Sequence, residues 1–251
     1  MPVMDEFREE REALKHGTFQ QKFQYFMDYY KWYVIAGVIL AVIAVSIIRD
    51  MASTREYAFY AAFLNGLEDQ VPAETFWADF SARLELDTDK YTTGADTTMS
   101  ISLTFQDEAT VTSMQKLMVY LAAGELDVVA GDSPTFLHFA STDTYFDLRE
   151  ILSPELLTAY EPYLYYVDMD EVRARDEATR NGIVDSFTAA EYDPRSPEGL
   201  GDPVPIAICI QDSPKLRGVY YFREGDVPMG FVRNSRHPEE ALAFLEYLFE
   251  E

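Results

Sequence analysis

The chain is short of the residues on which several classes of function depend. Its 251 residues include one cysteine, Cys209, and three histidines, His16, His138 and His237. One cysteine cannot form an internal disulfide or a multi-cysteine zinc or iron–sulfur site. The histidines lie far apart in the sequence, which disfavours a histidine-rich metal site. We therefore expect no cofactor and no metal centre.

Positive charge is scarce as well. Lys and Arg number 20 against 44 Asp and Glu, which gives a formal net charge of −24. A protein that binds nucleic acid through its phosphates needs a basic surface, so nucleic acid is not an expected partner. Hydrophobic residues make up 48% of the chain, which is enough for a packed core and argues against a disordered chain.

One long apolar run lies near the N-terminus. Residues 32–48, WYVIAGVILAVIAVSII, carry no charge and stand between Lys31 and Arg49. At about 1.5 Å per residue, a helix of this length measures roughly 26 Å, slightly less than the ~30 Å hydrocarbon core of a bilayer. The flanking bases can extend to the headgroups, and aromatic residues between Tyr29 and Tyr33 are typical of a membrane interface. We predict a transmembrane helix over 32–48; the alternative is a buried core helix.

This run divides the chain into three parts. It begins too far from the N-terminus for an ordinary cleavable signal peptide and has no A-x-A-like site after it, so we predict a signal anchor. Residues 1–31, predicted as an amphipathic helical segment, carry five Lys or Arg, whereas residues 49–79 carry two. This bias favours a cytoplasmic N-terminus. Residues 52–251 would then form an extracellular domain, which carries almost all of the net negative charge.

The extracellular part alternates strand and helix patterns. Strands are predicted at Tyr57–Leu64, Met99–Phe105, Leu126–Ala130, Val204–Ile210, Val219–Phe222 and Met229–Arg233, the last two joined by a turn. Helices are predicted at Pro72–Leu84, Val111–Ala123 and His237–Glu250, with shorter ones starting at Asp132 and Asp212. Residues 163–202 are predicted to be irregular. The alternation indicates an α/β fold with a largely parallel or mixed sheet.

Three segments resemble bacterial extracellular solute-binding proteins. They are residues 124–132 (GELDVVAGD), a stretch from 139 to 152 that ends in YFDLREIL, and residues 230–245 (GFVRNSRHPEEALAFL). With the aromatic run before the apolar segment, they are similar to small membrane-anchored proteins of Gram-positive anaerobes such as the clostridia. The resemblance implies a type II periplasmic-binding-protein-like domain of reduced size, with two α/β lobes, a mixed sheet and a cleft for a ligand.

Ligand sites in α/β folds lie beyond the carboxyl ends of strands. Asn65-Gly66, Gly131-Asp132-Ser133 and Gln211-Asp212-Ser213 follow predicted strands in this way. Carboxylates together with aromatic rings suit a sugar or a cationic solute. The alternative is that the acids cap helices and the rings fill the core. The predicted ligand-binding residues are Asp132, Ser133, Tyr145, Phe146, Asp212 and Ser213.

No catalytic constellation is present in the sequence. Ser133 and Ser213 each precede a proline at a predicted helix start, and neither lies in a G-x-S-x-G nucleophile elbow. We therefore predict a membrane protein without enzymatic activity, whose extracellular domain is a solute receptor or an accessory. The alternative is a degenerate binding fold that contacts another protein of the cell envelope. A deep polar cleft favours the first, and a collapsed cleft with an exposed apolar patch favours the second.

Overall fold

The computed structural model describes residues 18–53, 55–105, 107–140, 144–182, 192–223 and 225–250. The chain divides into two compact units, with the boundary between Thr54 and Arg55. The residues of the predicted N-terminal segment before Thr18 lie outside the described part.

The described part of the first unit is one helix, α1 (Phe19–Ser53). Its stretch Trp32–Arg49 is long and apolar enough to cross a membrane, and none of that stretch is buried against the rest of the chain. A helix that is apolar on every face needs an apolar environment on every face. α1 is therefore compatible with a membrane anchor.

The second unit, residues 55–251, mixes strands and helices. The strands are β1 (Glu56–Leu64), β2 (Leu67–Glu68), β3 (Tyr91–Asp96), β4 (Val128–Gly131), β5 (Leu164–Asp168), β6 (Pro203–Cys209), β7 (Tyr220–Tyr221) and β8 (Pro228–Phe231). The helices are α2 (Ala73–Arg83), α3 (Glu108–Ala123), α4 (Ser133–Phe139), α5 (Leu148–Ile151), α6 (Pro154–Ala159), α7 (Met169–Arg180) and α8 (Pro238–Leu248), with a 3₁₀ turn at Glu161–Tyr163.

Six of these strands form one mixed sheet in the order β3-β1-β4-β8-β6-β5. β1 is parallel to β3 and to β4, whereas the pairs β4–β8, β8–β6 and β6–β5 are antiparallel. It follows that β1, β3, β4 and β6 all run in one direction. β2 and β7 form a separate two-stranded antiparallel sheet. The predicted mixed α/β class is confirmed, and the expected division into two lobes is not.

Apolar cores cover both faces of the main sheet. Because side chains alternate along a strand, Phe63 of β1 belongs to one core, and its neighbours Ala62 and Leu64 belong to the other. The first core includes α2 and α8, where the rings of Trp77 and Phe244 stack with centroids 5.6 Å apart. The second core includes the inner sides of α3, α4 and α7. Both cores consist of residues after Arg55, so the second unit contains its own apolar interior.

The predicted strand at Met99–Phe105 is wrong. Met99 and Ile101 are buried in the second core, which explains the alternation in the sequence. Their backbone groups are bonded by Asn65 and not by a strand ladder. The carbonyl of Met99 accepts from the backbone N–H of Asn65 (3.1 Å). The N–H of Ile101 donates to the side-chain amide oxygen of Asn65 (2.7 Å), and the amide nitrogen of that side chain donates to the carbonyl of Ile101 (2.9 Å). The strand at this edge of the sheet is β3, whose sequence YTTGAD lacks an apolar alternation.

Three other local predictions need correction. The stretch 163–202, predicted as irregular, contains β5 and α7, and Asp168 caps α7 by accepting from the N–H of Asp170 (3.0 Å). β7 and β8 do not form a hairpin, because β7 pairs with β2 and β8 lies in the main sheet. The segment after Asp212 forms turns instead of a short helix.

Candidate functional site

The three segments predicted to line a ligand site follow strands that end at the same side of the main sheet. Leu64 of β1 pairs with Gly131 of β4, and β6 runs in the same direction two strands away. The residues that follow β1, β4 and β6 therefore leave the sheet on the same side. We call this side the carboxyl edge; it carries Asn65, Asp132 and Gln211.

Asp132 uses both carboxylate oxygens within the fold. One accepts from the N–H of Thr135 (3.1 Å), which caps α4, and the other accepts from the side-chain amide of Asn65 (2.7 Å). Asn65 adopts a positive φ of 58°, which aims its amide at Asp132 and at the backbone of Ile101. These bonds fasten the end of β1 to the start of α4, as the helix-capping alternative predicts.

The two predicted serines also have internal partners. The hydroxyl of Ser133 lies 2.5 Å from the hydroxyl of Tyr165 on β5. Ser213 is buried and donates to the carbonyl of Leu248 at the end of α8 (2.7 Å). Asp212, beside it, is exposed to solvent. Of these three residues, Asp212 alone has an exposed side chain.

Tyr145 and Phe146 differ in what they present to solvent. Tyr145 is buried, and its ring stacks on Phe136 with centroids 4.6 Å apart. Gly230 of β8 makes room for this stack, since a Cβ there would lie 2.8 Å from both rings. Phe146 is half-buried, with the guanidinium carbon of Arg233 4.9 Å from its ring centroid. Tyr145 is therefore a core residue, and Phe146 lies at the surface of the core.

The hydroxyl of Tyr145 is buried without a hydrogen-bond partner in the described part of the chain. We expect Tyr145→Phe to leave the free energy of unfolding unchanged or to raise it by up to about 1 kcal/mol, because the variant removes an unsatisfied polar group. The matched control is Tyr165→Phe, which breaks the bond to Ser133 and should lose about 1 kcal/mol. Urea unfolding of the three proteins measures both effects. A clear loss in Tyr145→Phe would mean that its hydroxyl has a partner.

A polar cluster around Asp127 was not predicted from the sequence. This carboxylate is 1% exposed and accepts from the N–H of Tyr60 (2.8 Å) and from the hydroxyl of Ser235 (2.6 Å). Nδ1 of the His237 ring lies 3.3 Å from a carboxylate oxygen of Asp127, and the backbone N–H of His237 donates to the hydroxyl of Ser235 (3.0 Å). Serine and histidine thus both contact the carboxylate. In a catalytic triad the serine hydroxyl donates to the histidine ring, so Ser235 is not placed as a nucleophile.

The chain segments around Asp127 and around Ser235 also contact each other at the end of α3. Gly124 ends this helix with φ 65°, and its Cα faces the backbone of Asn234 closely. The amide of Asn234 donates to the carbonyl of Ala122 (3.2 Å), and Arg236 donates to the carbonyl of Ala123 (2.8 Å). Two of the segments that carry the resemblance, 124–132 and 230–245, are therefore in direct contact, and their polar residues bond to each other.

A small cavity adjoins the Asp127 cluster. Its volume is about 30 Å³, far below the roughly 300–1,000 Å³ of common ligand pockets. Its wall is formed mainly by apolar side chains, with Phe146 as the one predicted site residue among them. The lining residues are Asp127, Phe146, Ile151, Phe231, Val232, Ser235, Pro238, Ala241 and Leu242. Within the described ranges, no group of three or more His, Cys, Asp or Glu side chains could hold a metal ion.

Cys209, the single cysteine, is buried at the end of β6. Burial raises the pKa of its thiol to about 12, so only a trace is thiolate at pH 8. We expect the folded protein to resist alkylation by iodoacetamide at pH 8 and to react fully once it is unfolded in urea. Mass spectrometry of the alkylated chain measures both. Fast labelling of the folded protein would contradict the buried position of Cys209.

The exposed side of α3 is apolar. Thr110, Ser113 and Leu117 face the core, and the opposite side of the helix carries residues that recur at spacings of three and four. Met118 is 56% exposed and Val119 is 62% exposed, which is unusual for side chains of this type in a helix of a water-soluble domain. We call this surface the outer face of α3. It comprises Val111, Gln115, Met118, Val119 and Ala122.

Between Val111 and Ala122 the outer face of α3 carries no charged side chain, and Glu108 lies in line with it at its N-terminal end. The charged residues of the helix are Glu108 in its first turn and Lys116, and Lys116 is held by the buried carboxylate of Asp96 at 2.5 Å. Phe105, just before the helix, is 69% exposed and extends the apolar surface at that end.

Comparison of the chain with protein-family models, with characterised proteins and with solved structures finds no match. The likeness to solute-binding proteins stays a prediction from the three sequence segments.

Proposed function

We propose that the chain is a single-pass membrane protein whose acidic domain binds another protein of the cell envelope and catalyses no reaction. The observation that carries this proposal is the outer face of α3, an exposed and mainly apolar surface. The carboxyl edge also supports the proposal, because the predicted ligand-binding residues Asp132, Ser133 and Ser213 are engaged in internal hydrogen bonds. An exposed apolar patch is typical of a surface that binds another protein.

The membrane arrangement is part of this proposal. The apolar stretch of α1 would span the bilayer, and the excess of Lys and Arg before it favours an N-terminus in the cytoplasm. The domain after Arg55 would then lie outside the cell. A reporter enzyme fused after Glu251 should be active only outside the cytoplasm. Activity in the cytoplasm would reverse the orientation.

Native gels of membranes solubilised in a mild detergent test the interaction. The wild-type chain should migrate in a complex larger than itself, and the double variant Met118→Glu with Val119→Glu should migrate alone, because two carboxylates on the outer face of α3 cannot be buried against an apolar partner. The matched control is Leu67→Glu with Val71→Glu, which adds the same charge at two other exposed apolar positions.

The control variant should retain the complex. Unfolding curves of both variants must match that of the wild type, so that loss of the complex reports docking and not misfolding. A wild-type chain that migrates at its own mass, or equal loss in both double variants, would contradict the proposal.

A solute receptor is the second candidate, and Phe146 favours it, because its half-buried ring lines the small cavity and is of the kind that suits a cationic or sugar ligand. The resemblance implies a two-lobed binding protein. A thermal-shift screen of the full chain against sugars, polyamines and peptides tests this candidate. A true ligand raises the melting temperature by mass action, and Phe146→Ala should abolish the rise. If no compound shifts the melting temperature at millimolar concentration, the solute-receptor candidate is contradicted and protein binding remains.

A further inference from the structure

The following inference rests on the proposed function, in which the outer face of α3 binds a protein. The charge of the domain restricts which proteins can bind there. Residues 55–251 contain 37 acidic and 14 basic residues, a net charge of −23. At least eight of the 14 bases form ion pairs with carboxylates of the same domain. Little positive charge is left for an acidic partner, and the field around the domain attracts cations.

The margin of the outer face is acidic at its N-terminal end. Asp107 and Glu108 stand at the start of α3, and both are exposed. A hydrogen bond from the backbone N–H of Thr110 lowers the pKa of Asp107, so this carboxylate is ionised at neutral pH. The nearest base on the helix, Lys116, is neutralised by Asp96. The surface is thus an apolar stripe that ends in negative charge.

We propose that the partner docks on the outer face of α3 through a basic amphipathic segment of an envelope protein. Its apolar side would cover Met118 and Val119, and its Lys or Arg side chains would reach Asp107 and Glu108. A second copy of this chain is disfavoured, because two domains of charge −23 repel each other. The anionic surface of a lipid bilayer is disfavoured for the same reason.

Gln115 offers a charge test within the face. It is exposed and lies in the same stripe as Val111 and Met118, so a lysine or a glutamate there changes the charge without removing an apolar side chain. A basic partner should be repelled by Gln115→Lys and tolerate Gln115→Glu. The two variants are matched in size and differ in the sign of their charge.

The experiment places the photo-cross-linker benzoylphenylalanine at position 119 of the full chain in the membranes of the cell that makes it. Mass spectrometry should find one protein adduct whose cross-linked segment has more Lys and Arg than Asp and Glu. The yield of the adduct should fall roughly fivefold or more in Gln115→Lys and hold or rise in Gln115→Glu.

Several results would overturn this inference. They are an adduct with an acidic protein segment, with a second copy of the chain or with lipid, and an equal loss of yield in both Gln115 variants. If position 119 forms no adduct although the native complex is present, the partner docks elsewhere, and the proposed function survives without this inference. If neither complex nor adduct is found, both fail.

Discussion

Replacement of Asp127 by alanine is expected to lower the free energy of unfolding by about 2–4 kcal/mol, because each of two part-buried donors that loses its acceptor costs roughly 1–2 kcal/mol. The carboxylate is almost fully buried, and it is the acceptor for the N–H of Tyr60 and the hydroxyl of Ser235. Alanine would leave these two part-buried donors without their acceptor. Urea unfolding followed by tryptophan fluorescence measures the loss.

Asp212→Ala is the matched control for this prediction. Asp212 is an exposed acid, so its removal should change the free energy of unfolding by no more than about 0.5 kcal/mol. The comparison separates a buried structural carboxylate from the general acidity of the domain. Equal effects of the two variants would show that the Asp127 cluster contributes nothing specific to stability.

Most of the sheet could be predicted from apolar patterns in the sequence. β1, β4 and β6 are apolar runs bounded by polar or glycine residues, and α2 and α8 show helical spacing of large side chains. The same patterns failed where tertiary contacts replace local structure. Met99 and Ile101 alternate like strand residues because their side chains are buried, yet their backbone groups are bonded by Asn65: its backbone N–H donates to Met99, and its side-chain amide bonds Ile101. No property of residues 99–105 alone reveals that partner.

The sequence predicts that Asn65 and Asp132 lie close together, and it does not predict what their side chains bind. Parallel strands end at a common edge, so the neighbourhood of Asn65 and Asp132 follows from the sequence pattern. Whether a carboxylate there faces solvent or caps a helix depends on partners far along the chain, such as Asn65 for Asp132 and Leu248 for Ser213. The outer face of α3 was also missed, since its apolar residues have the composition of an ordinary buried helix.

Gly124→Ala is expected to lower the free energy of unfolding by about 2–5 kcal/mol. An alanine at φ 65° costs about 1–2 kcal/mol of backbone strain. Its Cβ would also lie 2.6 Å from the backbone oxygen of Asn234, so one of the two segments would have to move, which adds a cost of roughly 1–3 kcal/mol. Unfolding in urea measures the sum.

Gly199→Ala isolates the backbone contribution, because Gly199 has φ 85° and no atom within 4 Å of the added Cβ. It should lose only the strain energy of about 1–2 kcal/mol. The difference between the two variants is then the cost of separating residues 124–132 from residues 230–245. These segments carry the likeness to solute-binding proteins, and they contact each other through Gly124–Asn234 and Asp127–Ser235. A large difference would mean that the likeness reflects a requirement of folding, which a domain can keep after its solute site is gone. Equal losses in Gly124→Ala and Gly199→Ala would contradict that explanation and would favour ligand binding as the reason for the likeness.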